Sequence, residues 1–456
     1  MMQASSGQYV LSLEEAKTEL GGSHVAAYII QYAAGMECRQ VVRESDYTDK
    51  DYLIDYANYY SRSHEKYAKI VERYHFFEKA FSEEEFHRAI ENGTMAQLGG
   101  KYFGFCIKKP MLDRHKQPVI GRTMMSPPSD VLAGDKRRIS LGYTHDVHLY
   151  GNVFSVRGLP FQSQDREISA CATVALWTAN QALHSSHGAC LATLSEIAAK
   201  TTITPATSRT FPTSGLTLTQ MIHYLRSIGS EVDIIHIQET GDIESIKKNV
   251  RDAKTVIKAY IGASIPIIAT LTMKKYHSCQ NRCEKERAFH AVVITGYGED
   301  QSGNLTELYI HDDGIGPYCV AEWKEETAGI RYDWNNGSMS GQGVEWDEVT
   351  IDHIIAPVYP KFRLPSSNIL HDFRDWQDRF ASDGFEFQLL FMQSSAYKAE
   401  LIKNSCKNRR MVLTKNLPRF LVIARMWENG KIVQDLVHDA TSTILGTPIE
   451  FVKYEW

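Results

Sequence analysis

The chain contains no concentrated run of positive charge. Its formal net charge is -5 over 456 residues, and it has no lysine- and arginine-rich run of about 5–8 residues. Proteins that bind nucleic acid usually carry such charge as a basic patch or stripe. We therefore expect no nucleic-acid partner.

Long hydrophobic runs are absent as well. The most apolar segment, residues 259–273, contains Pro266 and is shorter than the ~18 residues that predict a membrane-spanning helix. Segment 1–20 has no basic stretch followed by an apolar one, which predicts that no secretory signal is present. We expect a cytoplasmic protein without a membrane partner.

Cysteine is sparse, and its eight residues are scattered along the chain. This density is too low for a disulfide framework, so we interpret most of these residues as reduced thiols. The sequence also lacks a P-loop and a dinucleotide-binding glycine pattern after a strand. We expect chemistry that needs no cofactor.

The length of the chain and the pattern of its predicted helices and strands divide it into three predicted regions. The length exceeds the ~250–300 residues at which single cores stop growing. We predict a helical and then β-rich accessory region over 1–157, a central region over 158–362, and an α+β accessory region over 363–456. The loop 335–343 is rich in glycine, serine and asparagine, and we expect a surface connection or a lid over the site there.

Capping patterns predict where several elements begin and end. Ser12 is followed three residues later by Glu15, and Ser82 by Glu85, which is the capping-box pattern of a helix start. Gly93 predicts the end of the second helix. From residue 101 onward, short β-rich runs separated by Pro, Gly and Asp predict strands and turns.

In the central region, predicted helices come first and predicted strands follow. Segments 171–184 and 191–202 are predicted helices, whereas HAVVITGYG and ELYIHDD are predicted strands. This order favours an α+β fold with an antiparallel sheet. Beyond residue 363 we predict a helical part running from Trp376 to Cys406. A hairpin turn at Asn429 and Gly430 follows it.

Three residues in the central region form a candidate catalytic set. Cys171 stands at the predicted start of a helix, where free backbone N–H groups favour a thiolate. His290 begins an apolar strand, and Asp312, or its neighbour Asp313, ends the next. A nucleophile, a base and a residue that orients the base are what thiol-dependent acyl transfer requires. A buried cysteine, a core histidine and a turn aspartate are the structural alternatives.

The segment GLPFQSQDREISAC together with HAVVITGY and YIHDDGIG resembles the papain-like cysteine peptidases. The layout is most similar to the bacterial peptidases that cleave double-glycine bacteriocin leaders, and the resemblance covers roughly 158–362. It implies a papain-like core in which Cys171 is the nucleophile, His290 the base and Asp312 the orienter. It also implies that Gln164 donates a hydrogen bond to the oxyanion.

Two features depart from the family pattern. Gln164 lies one residue farther from the cysteine than is usual, and Gln162 is an alternative donor. The family often has Asp-Cys-Gly at the nucleophile, whereas this chain has Ala170, Cys171 and Ala172. Ala172 is still small enough to let a substrate backbone approach, but the change bears on substrate selection.

A zinc site is the competing interpretation of the same stretch. His277, Cys279, Cys283 and His290 lie close together in sequence, and zinc prefers cysteine and histidine ligands. Their spacing does not match the common structural-zinc patterns. We therefore expect no metal, and we interpret the two cysteines as exposed free thiols.

The sequence as a whole predicts a cysteine-nucleophile hydrolase, most simply a peptidase, that acts on a protein or peptide substrate. The same residues could instead carry other thiol acyl chemistry, such as deamidation or transglutamination. A binding or scaffold protein on a peptidase-like fold is the alternative without catalysis. The sequence does not indicate the oligomeric state.

Overall fold

The computed structural model describes residues 9–113, 115–128, 136–165, 168, 170–204, 215–237, 242–277, 284–323, 327, 329–332, 346–380 and 384–455. Helices and antiparallel sheets alternate along these segments. The fold is therefore mixed α+β, with strand pairs that are antiparallel throughout the part described. No helix in that part is both long and apolar enough to cross a membrane.

The N-terminal region contains a sheet flanked by helices and followed by a hairpin. In chain order its elements are β1 (Val10–Leu11), α1 (Leu13–Leu20), α2 (His24–Gly35), β2 (Gln40–Tyr47), α3 (Lys50–Asn58), β3 (Val71–Phe77), α4 (Glu83–Asn92), α5 (Met95–Gly99), β4 (Tyr102–Leu112), β5 (Pro118–Ile120), β6 (Met124–Met125), β7 (Lys136–Arg138), β8 (Tyr143–Leu149) and β9 (Asn152–Gly158). Both capping boxes are formed, at Ser12 and at Ser82. Gly93 ends α4 in the left-handed conformation, which confirms the predicted stop.

The first hundred residues are less helical than the sequence predicted. Strands β2 and β3 pair with each other, and β3 pairs onward with β4. Apolar side chains cover both faces of this sheet: Val41 and Phe76 face helices α1 and α2, whereas Val42 and Phe77 join the opposite core. A strand that is buried on both faces lacks the alternation of apolar and polar residues that marks a half-buried one.

The central region places helices against a large antiparallel sheet. Its elements are α6 (Cys171–His187), α7 (Leu194–Thr201), α8 (Leu218–Ser227), β10 (Glu231–His236), α9 (Ile243–Gly262), β11 (Ile267–Tyr276), β12 (Glu284–Glu299), β13 (Leu305–Asp312), β14 (Gly316–Trp323), β15 (Ile330–Tyr332) and β16 (Glu348–Val358). The strand order is β10-β16-β11-β12-β13-β14-β15. The loop 335–343 lies outside the described residues.

Backbone pairing connects the residues on the two sides of the predicted boundary near residue 157. Strand β7, which belongs to the N-terminal region in sequence, pairs with the end of β12 in the central sheet. Conversely, Phe161 forms a backbone bridge with Thr123. The two regions therefore share strand pairing and do not meet at a simple linker.

The C-terminal region forms a separate four-stranded sheet that packs on the central region. Its elements are α10 (Ser366–Phe380), β17 (Glu386–Gln393), α11 (Ser394–Lys403), α12 (Arg409–Thr414), β18 (Phe420–Glu428), β19 (Lys431–Asp439) and β20 (Glu450–Lys453). Helix α9 contacts β17 of this region and also β11 and β12 of the central sheet. The prediction of one helical part from Trp376 to Cys406 is wrong, because β17 interrupts it. The hairpin turn is confirmed, with Asn429 and Gly430 both at positive φ.

Candidate active site

Cys171 is the first residue of helix α6. Ala170 precedes it as the N-cap residue, and the carbonyl of Ala170 accepts hydrogen bonds from Thr173 and Val174. The following stretch of the helix, 172–183, is buried throughout, whereas Cys171 is only half-buried. The core therefore holds the helix in place while its first turn remains accessible.

The antiparallel pairing of β12 and β13 brings His290 and Asp312 together. Val293 of β12 lies opposite His311 of β13, so the last residue of β13 lies beside the middle of β12, close to His290. The Nε2 atom of His290 is 3.1 Å from Oδ1 of Asp312. The backbone N–H of Gly314 donates to the same oxygen at 2.9 Å, which fixes the carboxylate from its other side.

A hydrogen bond also joins the His290 ring to the side chain of Cys171. Thiol, imidazole and carboxylate thus form one continuous hydrogen-bonded line. The carboxylate of Asp313 lies near the same ring, with its Oδ1 atom 3.5 Å from Nε2. Both aspartates are buried, at 1% and 4% exposure, so water does little to screen their charge at the ring.

These neighbours set the protonation of His290. Burial lowers the pKa of the ring. The charge and hydrogen bond of Asp312, together with the hydrogen bond with Cys171, raise the pKa by more than burial lowers it. The pKa of His290 consequently stands well above its usual value. The protonated imidazole that results is the partner that a thiolate requires.

The two candidate oxyanion donors lie in different surroundings. Gln162 is buried at 4% exposure, and its Oε1 atom accepts a hydrogen bond from Nζ of Lys109 at 3.3 Å. Gln164 is only half-buried, although both of its neighbours, Ser163 and Asp165, are buried. Of the two residues, Gln164 is the more exposed.

The other described cysteines differ from Cys171 in their surroundings. Cys38, Cys106, Cys319 and Cys406 are buried free thiols, and Cys190 is exposed. Burial raises the pKa of Cys38 to about 12. Burial and the nearby charge of Asp312 raise the pKa of Cys319 well above its usual value. Cys190 is therefore the natural internal comparison for the reactivity of Cys171.

One expected ligand of the alternative zinc site, His290, is already engaged by other side chains. His290 is bonded to Asp312 and Cys171, and His277 is exposed just after β11. Cys279 and Cys283 lie outside the described residues. Within the described part of the chain, the cluster of potential ligand atoms is His290 with Asp312 and Asp313, all within 4.8 Å of one another. We interpret that cluster as a base and its orienting acids because the same ring also contacts the thiol.

Two residues that contact the segment before Cys171 were not predicted from the sequence, and neither was the role of Asp165 within that segment. Tyr60 and Lys109, both in the N-terminal region, bond to Asp165 and Gln162, respectively. No local pattern marks Tyr60 or Lys109, since their partners are distant in sequence. Asp165 is of a residue type that often accepts from a backbone N–H a few positions later in the chain, and its carboxylate does accept from the N–H of Ile168.

No protein-family model and no curated protein matches this sequence. The geometry around Cys171, His290 and Asp312 and the motifs that resemble the papain-like peptidases are therefore what indicates a function.

Proposed function

We propose that the protein is a cysteine-nucleophile hydrolase, and most simply a peptidase, that acts on a protein or peptide substrate. The observation that carries this proposal is the hydrogen-bonded line from Cys171 through His290 to Asp312. Its members come from one helix start and two adjacent strands. A nucleophile bonded to a base, which is in turn bonded to an orienting acid, is the arrangement that thiol-dependent acyl transfer uses.

In the proposed mechanism, Asp312 holds Nε2 of His290, which leaves Nδ1 to exchange a proton with the sulfur. The thiolate of Cys171 attacks the substrate carbonyl carbon, and the resulting oxyanion is held by the backbone N–H of Cys171 and the side chain of Gln164. His290 then protonates the departing amine as the C–N bond breaks. Water attacks the thioester, and the carboxylic acid leaves as the thiol forms again.

The surroundings of the two glutamines support Gln164 as the oxyanion donor. The amide of Gln162 already accepts from Lys109 in a buried position, whereas Gln164 is partly accessible. The antiparallel sheet with a helix carrying the cysteine also supports a papain-like core.

We further propose a cytoplasmic location, because eight cysteines scattered over 456 residues are too sparse for a disulfide framework. Deamidation and transglutamination use the same acyl-enzyme. Product analysis separates them from hydrolysis, since a transferase joins an amine to the acyl group and a deamidase releases ammonia. A binding protein would have an unreactive Cys171.

The first test is alkylation by iodoacetamide, with peptide mapping of every cysteine. We expect Cys171 to react selectively at about pH 6, where an ordinary thiol with a pKa near 8.5 is almost entirely protonated. The exposed Cys190 should react slowly in the same sample and serves as the control. Replacing His290 with Ala should abolish the selectivity.

A second test uses turnover. Cys171→Ala should remove all hydrolysis of peptide substrates while leaving the thermal unfolding midpoint nearly unchanged, because the side chain is half-buried at a helix start. A variant that retains the wild-type rate would contradict the assignment. Equal labelling of Cys171 and Cys190 in the wild-type protein would favour the binding-protein alternative.

A further inference from the structure

The segment that leads to the nucleophile is bonded to the N-terminal region at several points. We call residues 161–165 the pre-nucleophile loop. The backbone of Phe161 exchanges two hydrogen bonds with Thr123, at 2.7 and 2.8 Å. Ser163 donates its N–H to the carbonyl of Ile120 at 3.0 Å, and its Oγ accepts from the N–H of Ile120 at 3.1 Å. The loop therefore adds to the edge of the N-terminal sheet.

Side chains make two more connections. The hydroxyl of Tyr60 donates to Oδ2 of Asp165, and Oδ1 of the same carboxylate accepts from the N–H of Ile168 at 2.7 Å. Nζ of Lys109 donates to Gln162 at 3.3 Å. Tyr60 and Asp165 are buried, at 1% and 6% exposure. These bonds are consequently shielded from water, where a hydrogen bond contributes most to holding geometry.

The bonded positions surround the proposed oxyanion donor. Ser163 is tied to Ile120 and Asp165 is tied to Tyr60, so the residues on both sides of Gln164 are held, while Gln164 itself is half-buried. An oxyanion donor must lie within a few tenths of an ångström of its working position, because its contribution depends on preorganised geometry. The N-terminal region thus fixes the backbone from which the donor projects.

The protonation of Tyr60 suits this role. Burial and the nearby charge of Asp165 raise the pKa of Tyr60 well above its usual value. The hydroxyl therefore keeps its proton, and can donate to the carboxylate, over the whole range in which a thiol hydrolase works. A donor that could titrate away would leave the buried carboxylate without this partner.

We propose that Tyr60 and Asp165 are positioning residues for the oxyanion donor Gln164, and that the N-terminal region is the frame for half of the active site. This inference rests on the proposed function. The Tyr60 hydroxyl acts through Asp165 on the backbone of the pre-nucleophile loop, and it does not act on the pair of Cys171 and His290. Loss of the hydroxyl should therefore weaken oxyanion binding and leave the thiolate intact.

Two probes separate these effects. Iodoacetamide alkylates a thiolate without forming an oxyanion, whereas a peptide aldehyde adds to the sulfur as a tetrahedral hemithioacetal whose oxygen occupies the oxyanion site. The aldehyde is taken from a panel of acetylated dipeptides ending in glycinal, leucinal or argininal. Its affinity is measured by protection of Cys171 from iodoacetamide, so that no substrate needs to be known.

In Tyr60→Phe we expect the alkylation rate of Cys171 to stay within about 2-fold of wild type, while aldehyde affinity falls about 10- to 100-fold. Asp165→Asn should likewise lower the aldehyde affinity and leave the alkylation rate nearly unchanged. Gln164→Ala should lower the aldehyde affinity as well. Adding Tyr60→Phe to Gln164→Ala should not lower that affinity any further, because the effects of residues that act through one another are not additive.

Tyr52→Phe is the matched control. Tyr52 is equally buried at 1% exposure and packs beside Tyr60, with ring centroids 6.0 Å apart, but its hydroxyl donates to the carbonyl of Ala68. It should lose stability to a similar extent and keep the wild-type aldehyde affinity.

Wild-type aldehyde affinity in Tyr60→Phe would overturn the inference. So would a parallel loss in Tyr52→Phe, or an equal loss of alkylation, because each result indicates a general structural role. If wild-type Cys171 is neither selectively alkylated nor protected by any aldehyde, the proposed function itself fails, and the inference with it. The two failures are therefore distinguishable.

Discussion

At the scale of single residues, the properties of the site depend on one imidazole that contacts both a thiol and two carboxylates. The ring of His290 contacts the thiol of Cys171 and lies within 3.1 Å of one carboxylate and 3.5 Å of another. Burial alone would make this histidine neutral, but the two acids more than offset that effect. The raised pKa that results is what the proposed role of His290 as a general acid requires.

The raised pKa of His290 predicts a pH dependence of stability. In the unfolded chain a histidine titrates near ~6.5. Protonated His290 therefore adds its full contribution to the free energy of unfolding below about pH 6.5, and the contribution is lost as the pH rises through the higher folded-state pKa. Urea unfolding at a series of pH values measures this slope.

Asp312→Asn should move that loss to lower pH, because the largest of the interactions that raise the pKa of His290 is then gone. The pH profile of Cys171 alkylation should shift with it. Asp313→Asn is the matched control and should have a smaller effect, since its oxygen lies 3.5 Å from Nε2 rather than 3.1 Å. Identical pH profiles in the wild type and Asp312→Asn would contradict the assignment of the orienter.

At the scale of elements, predictions succeeded where contacts are local. The capping boxes at Ser12 and Ser82 and the turn at Asn429 and Gly430 are all formed. Each requires only residues within a few positions of one another, so the pattern contains the physical cause. Strands β2, β3 and β17 were missed because strand formation depends on distant partners that complete the pairing and cover the apolar faces.

Helix α6 predicts a separation between stability and reactivity. Leu176 is fully buried in the core that holds the helix. Leu176→Ala should lower the free energy of unfolding by about 2–5 kcal/mol through lost burial and a cavity. The alkylation rate of Cys171 in the folded protein should change little, because the helix start and His290 remain in place.

Chemical denaturation and iodoacetamide labelling on the same samples test this separation. Ser185→Ala, on the exposed side of the same helix, serves as the control and should change neither quantity. A loss of labelling in Leu176→Ala without a loss of stability would contradict the view that the core merely holds the helix.

At the scale of the whole molecule, the N-terminal region reaches both halves of the site. It binds the pre-nucleophile loop through Tyr60 and Ile120, and its helix α2 packs on β14 beside the acid-bearing end of β13. Gly316, the first residue of β14, pairs with Asp312. A Cβ atom at Gly316 would lie 2.1 Å from Cδ1 of Tyr28 in α2.

Gly316→Ala should therefore force α2 and β14 apart. We expect the free energy of unfolding to fall by about 1–3 kcal/mol and the selectivity of Cys171 alkylation to fall as Asp312 moves. Adding Tyr28→Ala removes the clash and should restore part of both losses relative to the sum of the single changes. Labelling and thermal unfolding of the three variants measure this coupling.

Gly35→Ala is the control for that series. Gly35 ends the same helix, and a Cβ there meets nothing within 4 Å. It should leave labelling and stability close to wild type. If the double variant loses as much as the two single changes combined, the clash between α2 and β14 is not the cause.

The sequence alone determined the features whose causes are local. These include the capped helix starts, the hairpin turn, the position of Cys171 at the beginning of a helix, and the strand that ends at Asp312. The prediction that His290 begins its strand is wrong, because β12 already starts at Glu284 and is extended by its pairing with β11. Only the tertiary structure decided which groups meet. The pairing of β12 with β13 brings the imidazole to its acid, and the N-terminal sheet ties down the loop before the nucleophile. Hydrogen bonds between residues as far apart as Tyr60 and Asp165 arise from packing of the whole chain, so no short pattern in the sequence contains their cause.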